Sequence, residues 1–211
     1  MAELLSEPEI AAELAAYQVV LPPEGLTQLS IYLELLVRWN RRVNLTGLRE
    51  PRDMVRRLFG ESLFLTTVVS LYGWLVDVGS GAGFPGLALK LALPELRVTL
   101  VEARRKRAVF LQEVARSCHF SNVEVVAERF ENWAQARQRP ERPHFITTRA
   151  VNVDPDLLAA FARLLEPGGV LLYQTTRKIA SRLETVAVGW KLNAPIAVPK
   201  TESSIVLIAT T

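Results

Sequence analysis

A run of glycines follows a short apolar segment near the middle of the chain, and its composition suits it to ligand binding. Trp74-Leu-Val-Asp-Val78 leads directly into Gly79-Ser-Gly-Ala-Gly-Phe-Pro-Gly86. A strand that ends in glycines and passes into a helix brings backbone N–H groups close to a ligand without intervening side chains. Pro85 suits the first turn of that helix, because its missing N–H would have no partner there. The pattern predicts a nucleotide-type cofactor site.

Two carboxylates flank this loop. Glu102 closes the next apolar run, where an acid can accept hydrogen bonds from both ribose hydroxyls of an adenosine. Asp77, just before the loop, suits either the cationic end of a ligand or the capping of the loop's own backbone. The glycine spacing from Gly81 to Gly86 also fits dinucleotide-binding folds. A nicotinamide-dependent oxidoreductase therefore stays open as an alternative, although the sequence offers no recognisable proton donor for its substrate.

The loop lies among alternating apolar runs and helical segments. The strand candidates are short and rich in β-branched residues: 74–78, 98–102, 123–127, 145–148, 170–175, 191–198 and 204–210. Helical segments lie between the first five, as in a mostly parallel sheet that is covered on both faces. The last two are joined by a short connection, which predicts a terminal antiparallel pair. We expect an α/β fold with a mostly parallel, Rossmann-like sheet of seven strands.

The first 72 residues have a helical pattern only. Ser6 and Glu9 have the spacing of a capping box at the start of a helix. A second helix follows from the apolar stripe that begins at Leu26 and continues through Trp39, and a third is predicted over 51–71. We therefore divide the chain into an N-terminal helical region, residues 1–72, packed on a cofactor-binding catalytic domain, residues 73–211.

Composition narrows the class of protein. The chain has 211 residues, of which 49% are hydrophobic and 22% charged, enough for a sizeable globular core. It has no run of the ~18 apolar residues that span a bilayer, and its one cysteine, Cys118, agrees with a reducing compartment. His119 and His144 lack metal-ligand spacing. These features predict a cytoplasmic monomer without metal or membrane anchor, whose net charge of +3 permits a polyanionic partner.

Four motifs occur in an order that resembles one family of bacterial enzymes. They are Trp39-Asn-Arg-Arg-Val-Asn-Leu-Thr46, Asp77-Val-Gly-Ser-Gly-Ala-Gly-Phe-Pro-Gly86, Lys106-Arg-Ala-Val-Phe-Leu111 and Thr148-Arg-Ala150. Over most of its length the chain resembles the RsmG (GidB) family of small-subunit ribosomal RNA guanine-N7 methyltransferases. The resemblance implies a class I S-adenosylmethionine-dependent methyltransferase that modifies the position-527 guanine of 16S ribosomal RNA, in the decoding-region loop.

The resemblance also implies a cofactor site. Gly79, Phe84, Ala127, Glu128 and Arg149 would contact S-adenosylmethionine, and Glu102 would hold its ribose. With neighbouring residues, the predicted site comprises Asp77, Gly79, Ser80, Gly81, Gly83, Phe84, Glu102, Ala103, Ala127, Glu128 and Arg149. The product would be S-adenosylhomocysteine. Two positions depart from the family's pattern: Leu58 stands where the family often has histidine, and Glu61 where it has aspartate. The departure concerns the acceptor side and leaves the cofactor assignment unchanged.

Methyl transfer to guanine N7 would not require acid–base chemistry from the side chains. N7 has a lone pair and no proton, so no general base is required. Alignment of nucleophile, methyl and sulfur can supply about 7 to 11 kcal/mol. No catalytic residue is therefore assigned, and Arg149, at the end of the fourth strand, is the positioning candidate. It could contact guanine O6 or the cofactor but not N7, since a hydrogen bond there would occupy the reacting lone pair.

Basic residues cluster on both sides of the predicted site. N7 faces the deep, narrow groove of an A-form duplex, so the target guanine must lie in a loop or be splayed from its stack. The enzyme must then hold nearby backbone. We assign RNA contact to Arg41, Arg42, Arg57, Arg104, Arg105, Lys106 and Arg107. The expected partner is small-subunit ribosomal RNA or the 30S subunit. A non-catalytic RNA-binding, ribosome-assembly protein with the same fold is a further alternative.

Overall fold

A computed structural model describes residues 4–135, 141–187, 189–201 and 204–210. Its centre is a sheet whose first five strands are parallel: β1 (Trp74–Val78), β2 (Arg97–Val101), β3 (Val123–Val126), β4 (Phe145–Arg149) and β5 (Val170–Thr176). Three further strands follow: β6 (Lys191–Leu192), β7 (Ile196–Ala197) and β8 (Ser204–Thr210). The strand order is β3-β2-β1-β4-β5-β8-β6, with β7 also beside β8. The predicted mostly parallel α/β sheet is confirmed.

The strand count differs from the prediction. The described residues contain eight strands, because the single strand predicted over 191–198 is divided into β6 and β7. Pro195 lies in the break, and a proline cannot donate a ladder hydrogen bond. Both short strands pair antiparallel with β8. The predicted antiparallel end of the sheet is thus confirmed, and the predicted continuity of its penultimate strand is wrong.

The N-terminal region is helical, as expected. Its elements are α1 (Glu7–Ala15), α2 (Pro23–Val43), α3 (Pro51–Met54), a π-helical segment (Val55–Gly60), α4 (Glu61–Leu63) and α5 (Leu65–Val68). At the start of α1 the main-chain nitrogen and hydroxyl of Ser6 donate to the Glu9 carboxylate, at 3.0 and 2.8 Å. The third predicted helix is interrupted, since its middle winds as a π-helix and its last turn ends at Val68.

Two apolar cores lie on opposite faces of the sheet. Five more helices connect or follow the strands: α6 (Gly86–Leu89), α7 (Arg105–Ser117), α8 (Phe130–Gln135), α9 (Pro155–Leu164) and α10 (Arg177–Val186). Leu75 of β1 packs with the N-terminal helices and α7, whereas Val76 packs on the opposite face with α8 and α9. The N-terminal helices therefore share a core with the sheet and reach the loops at its carboxyl edge. None of the described helices meets the length and hydropathy of a membrane span.

Candidate active site

The glycine loop leaves β1 at the carboxyl edge of the sheet. Gly79, Gly81 and Gly83 all have positive φ, at +71°, +58° and +92°. A Cβ at Gly83 would lie 2.1 Å from the Tyr32 hydroxyl oxygen, whereas the nearest atom to a Cβ at Gly81 is 3.8 Å away. Gly83 is therefore required by packing behind the loop. Gly81 leaves the front of the loop open, as a ligand-facing backbone needs.

An aromatic cluster supports this loop from behind. Tyr32 of α2 is fully buried, its hydroxyl donates to the carbonyl oxygen of Ala82, and burial raises its pKa well above the ordinary value. Its ring stacks on Phe84, with centroids 5.5 Å apart, and meets Phe59 edge-on at 5.0 Å. Tyr32 was not among the predicted site residues. Its spacing from Leu29 and Leu36 along α2 was the signal that it would face inward.

Glu102 lies directly after β2 and is 5% exposed. One carboxylate oxygen accepts the Gly81 N–H and the other accepts the Arg104 N–H, both at 2.8 Å. An ionised carboxylate oxygen can accept a second hydrogen bond. Glu102 therefore fixes the loop against the end of β2 and keeps acceptor capacity toward the cavity that it lines. This placement suits the ribose role predicted for it.

Asp77 lies behind the loop and does not line the cavity. Its side chain is fully buried and accepts a 2.8 Å hydrogen bond from the Thr147 hydroxyl. A Cβ at Gly86 would lie 2.5 Å from the Asp77 Cβ, so the glycine lets the loop close over the acid. Burial raises the pKa of Asp77 to about 6, against the opposing effect of the hydrogen bond from Thr147. Of its two predicted roles, the geometry favours support of the loop.

Substitution of Asp77 by asparagine should make stability less dependent on pH. The native carboxyl holds its proton more tightly than the unfolded one, so the wild-type free energy of unfolding falls as pH rises from 3.8 to about 6. At ~1.4 kcal/mol per pKa unit, the full change is about 3 kcal/mol. Urea unfolding of Asp77→Asn and wild type at pH 4.5 and 7.5 should show the variant gaining about 1 to 3 kcal/mol relative to wild type at the higher pH.

The exposed Asp53→Asn is the matched control for this comparison, since it removes a carboxylate from the surface. If the difference in stability between Asp77→Asn and wild type did not change between pH 4.5 and 7.5, Asp77 would not titrate as its burial implies.

A cavity of about 330 Å³ lies in front of the loop. Six of the predicted cofactor residues line it: Gly79, Ser80, Gly81, Phe84, Glu102 and Arg149. Ala103, Ala127 and Glu128 lie just past β2 and β3, outside this lining, and Asp77 and Gly83 lie behind the loop. The cavity is also lined by eight residues that were not predicted to bind the cofactor: Leu45, Thr46, Leu58, Ala82, Arg104, Arg107, Ala150 and Val151. A larger cavity, of about 780 Å³, lies between α8 and α9, and none of the described residues that line it belongs to the glycine loop.

The first sequence motif forms one wall of this cavity. Asn40, near the end of α2, accepts the Thr46 N–H at 2.8 Å and donates to the Leu48 carbonyl oxygen at 2.9 Å. These bonds fix the loop that carries Leu45 and Thr46. Trp39 packs against Phe110, with centroids 5.6 Å apart, and so belongs to the core. The only sequence signal that Leu45 and Thr46 belong to the site was their place at the end of this motif.

Arg149 ends β4 and faces the π-helical segment as well as the cavity. One guanidinium nitrogen donates to the Arg57 carbonyl oxygen at 2.7 Å and to the Glu61 carboxylate at 2.8 Å. Burial lowers the pKa of Arg149, and Glu61 opposes this effect. Leu58, which stands where the related family often has histidine, lies in the cavity wall. The cavity is thus bounded on this side by an ion pair and an apolar side chain.

The two basic clusters meet at an adjoining cleft of about 570 Å³. The cleft and the cavity share Leu45, Thr46 and Arg107. Arg41 and Arg49 also line the cleft, and Arg49 was not among the predicted RNA-contact residues. The other predicted RNA-contact residues are exposed: Arg42 on α2, Arg57 on the π-helical segment, and Arg104, Arg105 and Lys106 at the start of α7.

Two other arginines of the arginine-rich segment 38–57 have a structural role. Arg52 forms ion pairs with Glu9 and Glu13, and Arg56 with Glu13, so both are tied to α1. Neither was predicted to contact RNA. Within the described residues, no group of three or more histidine, cysteine, aspartate or glutamate side chains has the arrangement of a metal site.

Solved structures share this architecture at low sequence identity. A SAM-dependent methyltransferase from Aquifex aeolicus is 18% identical, with a TM-score of 0.59 over 79% of this chain and 96% of that one. The glycopeptide N-methyltransferase MtfA, complexed with sinefungin, is 14% identical, with a TM-score of 0.58 over 72% of this chain and 85% of that one. The strand order, glycine loop and acid after β2 define a class I S-adenosylmethionine-dependent methyltransferase fold.

The family follows from sequence comparison. The model of the family described as rRNA small subunit methyltransferase G matches residues 25–192, and the chain belongs to that family. The Ribosomal RNA small subunit methyltransferase G of Xanthomonas euvesicatoria is 36% identical over 173 residues, 81% of this chain and 79% of that one. The protein of the same name from Xylella fastidiosa is 36% identical over 197 residues, 92% and 91% of the two chains. The protein is therefore a methyltransferase, and the nicotinamide-dependent alternative is set aside.

Proposed function

We propose that this enzyme transfers the methyl group of S-adenosylmethionine to N7 of a guanine in small-subunit ribosomal RNA, the position-527 guanine of the decoding-region loop. One observation carries the proposal: the cavity in front of the glycine loop joins an arginine-lined cleft through Leu45, Thr46 and Arg107. A cofactor and a polyanion can thus reach the same edge of the sheet. The related proteins from Xanthomonas and Xylella are named for ribosomal RNA of the small subunit.

The cavity residues fit the proposed cofactor. The backbone at Gly81 is unobstructed at its front, and Glu102 has acceptor capacity for ribose hydroxyls. Ala103, Ala127 and Glu128, just past the adjacent strands, complete the proposed site. When bound, S-adenosylmethionine supplies an electrophilic methyl group on a cationic sulfur. Neither Arg149 nor any other residue is required to remove a proton from N7.

The chain's own residues would then act by placement. Asn40 fixes the wall that carries Thr46, Glu102 fixes the loop, and Arg149 is held at the end of β4. A target guanine must lie between these walls with N7 in line with the methyl and sulfur. Such orientation can contribute about 7 to 11 kcal/mol. Leu58 offers apolar contact and no hydrogen bond at its position in the wall.

The activity is tested by incubating the purified protein with tritiated S-adenosylmethionine and small-subunit particles or RNA that lack the modification. Tritium should enter small-subunit RNA and not large-subunit RNA. Naked RNA and 30S subunits, tested in parallel, identify the preferred form of the substrate. Tight cofactor binding without label in either would support the alternative of a non-catalytic ribosome-assembly protein.

The RNA-contact assignment is tested by the salt dependence of RNA binding. Arg41→Gln/Arg42→Gln should weaken binding and lower the magnitude of the slope of log affinity against log salt by ~0.7 to 0.9 for each phosphate that the variant no longer neutralises. Arg52→Gln/Arg56→Gln is the matched control, because it removes the same charge from side chains held by α1. Equal slopes for the two double variants would contradict the assignment of Arg41 and Arg42 to RNA.

A further inference from the structure

Glu61 is a buried acid that the proposed transfer reaction does not use. It follows the π-helical segment, is 4% exposed, and its carboxylate lies 2.8 Å from a guanidinium nitrogen of Arg149. The Gln174 side-chain amide donates to the Glu61 carbonyl oxygen at 2.6 Å. Arg149 and Gln174 are register partners on β4 and β5. Residue 61 is therefore attached to two neighbouring strands at the edge where the cavity lies.

Arg149 connects this acid to the cavity wall. The nitrogen that meets Glu61 also donates to the carbonyl oxygen of Arg57, inside the π-helical segment. Leu58 is the next residue, and both Leu58 and Arg149 line the cavity. Single π-helical turns within helices are frequent at functional sites. The contacts form a path from Glu61 through Arg149 to the π-helical segment, whose residue Leu58 lines the cavity.

We propose that Glu61 is a positioning residue for methyl transfer, a role that rests on the proposed function. It holds the Arg149 guanidinium beneath the π-helical segment and thereby fixes the cavity wall formed by Arg149 and Leu58. A charge in a partly buried site is destabilised when it loses its partner. Without Glu61, the Arg149 guanidinium, whose side chain is 21% exposed, would keep only its bonds to the Arg57 carbonyl and the Ser62 hydroxyl and could turn into the cavity that it already borders. A cation there would repel the sulfonium of the cofactor and displace the wall.

The test is Glu61→Gln, which keeps the size of the side chain and removes its charge. We expect kcat/KM to fall at least 10-fold, with a larger rise in KM for S-adenosylmethionine than for RNA. Glu61→Asp should recover much of the lost kcat/KM, since it keeps the negative charge on a side chain that is one methylene shorter. Glu34→Gln, an exposed glutamate on α2, is the control and should retain wild-type constants.

A double-mutant cycle separates this role from a general loss of stability. If Glu61 acts through Arg149, Glu61→Gln should change kcat/KM less than 2-fold in an Arg149→Met background, where the guanidinium is absent. Multiplicative effects of the two substitutions would overturn the inference, as would wild-type kinetics for Glu61→Gln. Thermal melts of all four proteins verify that each is folded at the assay temperature. An inactive wild type would instead remove the proposed function itself.

Discussion

Replacement of Glu102 by alanine should raise the Kd for S-adenosylmethionine by about 100-fold or more while the protein stays folded. Hydrogen bonds to charged groups contribute about 1.5 to 3 kcal/mol each, and the proposed role gives Glu102 two ribose hydroxyls. The substitution also frees the Gly81 N–H, which the carboxylate now accepts at 2.8 Å. Isothermal titration calorimetry with S-adenosylmethionine and S-adenosylhomocysteine measures the loss, and both ligands should be affected because they share the ribose.

Two further variants make this experiment specific. Glu95→Ala removes an exposed glutamate near the same sheet and should leave both affinities unchanged. Glu102→Gln keeps the side chain's size but replaces one acceptor oxygen by a donor, so its Kd should lie between those of wild type and alanine. Wild-type affinity in Glu102→Ala would mean that the ribose is held elsewhere, and the proposed cofactor site would have to be redrawn.

Substitution of Gly83 by alanine should lower the free energy of unfolding by about 2 to 6 kcal/mol and abolish cofactor binding. Two effects add. The residue has φ +92°, where a side chain costs about 1 to 3 kcal/mol, and the new Cβ would lie 2.1 Å from the Tyr32 hydroxyl oxygen. Overpacking of a buried site costs a further ~1 to 3 kcal/mol. Urea unfolding followed by circular dichroism gives the total.

The chain provides a matched control that separates the two effects. Gly168 has φ +78°, and a Cβ placed there would have no atom within 4 Å, so Gly168→Ala carries the backbone cost alone. Tyr32→Phe removes the clashing oxygen, and Gly83→Ala should therefore be less destabilising in that background than in wild type. Equal losses for Gly83→Ala and Gly168→Ala would show that the contact with Tyr32 relaxes at no cost.

The sequence was most informative where local pattern and tertiary role coincide. The strand from Trp74 to Val78, the positive-φ glycines that follow it and the acid at 102 all lie at one edge of the sheet, as expected. Parallel strands with helical crossovers require this, because their carboxyl ends meet at the same edge. The arginine at position 149 likewise lies at the end of the fourth strand.

Long-range partners could not be predicted from local pattern. No role was predicted for Tyr32: its spacing from Leu29 and Leu36 is a local signal for an inward-facing side chain, but nothing local indicates that it lies beneath a loop some fifty positions later. The pairing of Arg149 with Glu61 across the π-helical segment was equally hidden, since a π-turn has no distinctive periodicity over six residues. The seven arginines between positions 38 and 57 looked alike, and the acids of α1 distinguish Arg52 and Arg56 from the others.

The glycine loop is supported by buried residues on one side and faces an open cavity on the other. Buried groups behind the loop, Tyr32 and Asp77 among them, hold its backbone in place. In front of it lie Glu102 and Arg107, the second of which also borders the basic cleft. A reaction that depends on alignment of a nucleophile with a methyl donor, and not on proton transfer, suits such a site.

Methylation at guanine N7 is tested by locating both the nucleotide and the atom that receive the methyl group. Unmodified 30S subunits or small-subunit RNA are incubated with the enzyme and tritiated S-adenosylmethionine, and the RNA is then treated with reductive strand cleavage specific for 7-methylguanosine. We predict one new cleavage site, at a loop guanine, and its loss when the enzyme or cofactor is omitted. Label that enters the RNA without creating such a cleavage site would contradict the assignment of guanine N7 as the methyl acceptor.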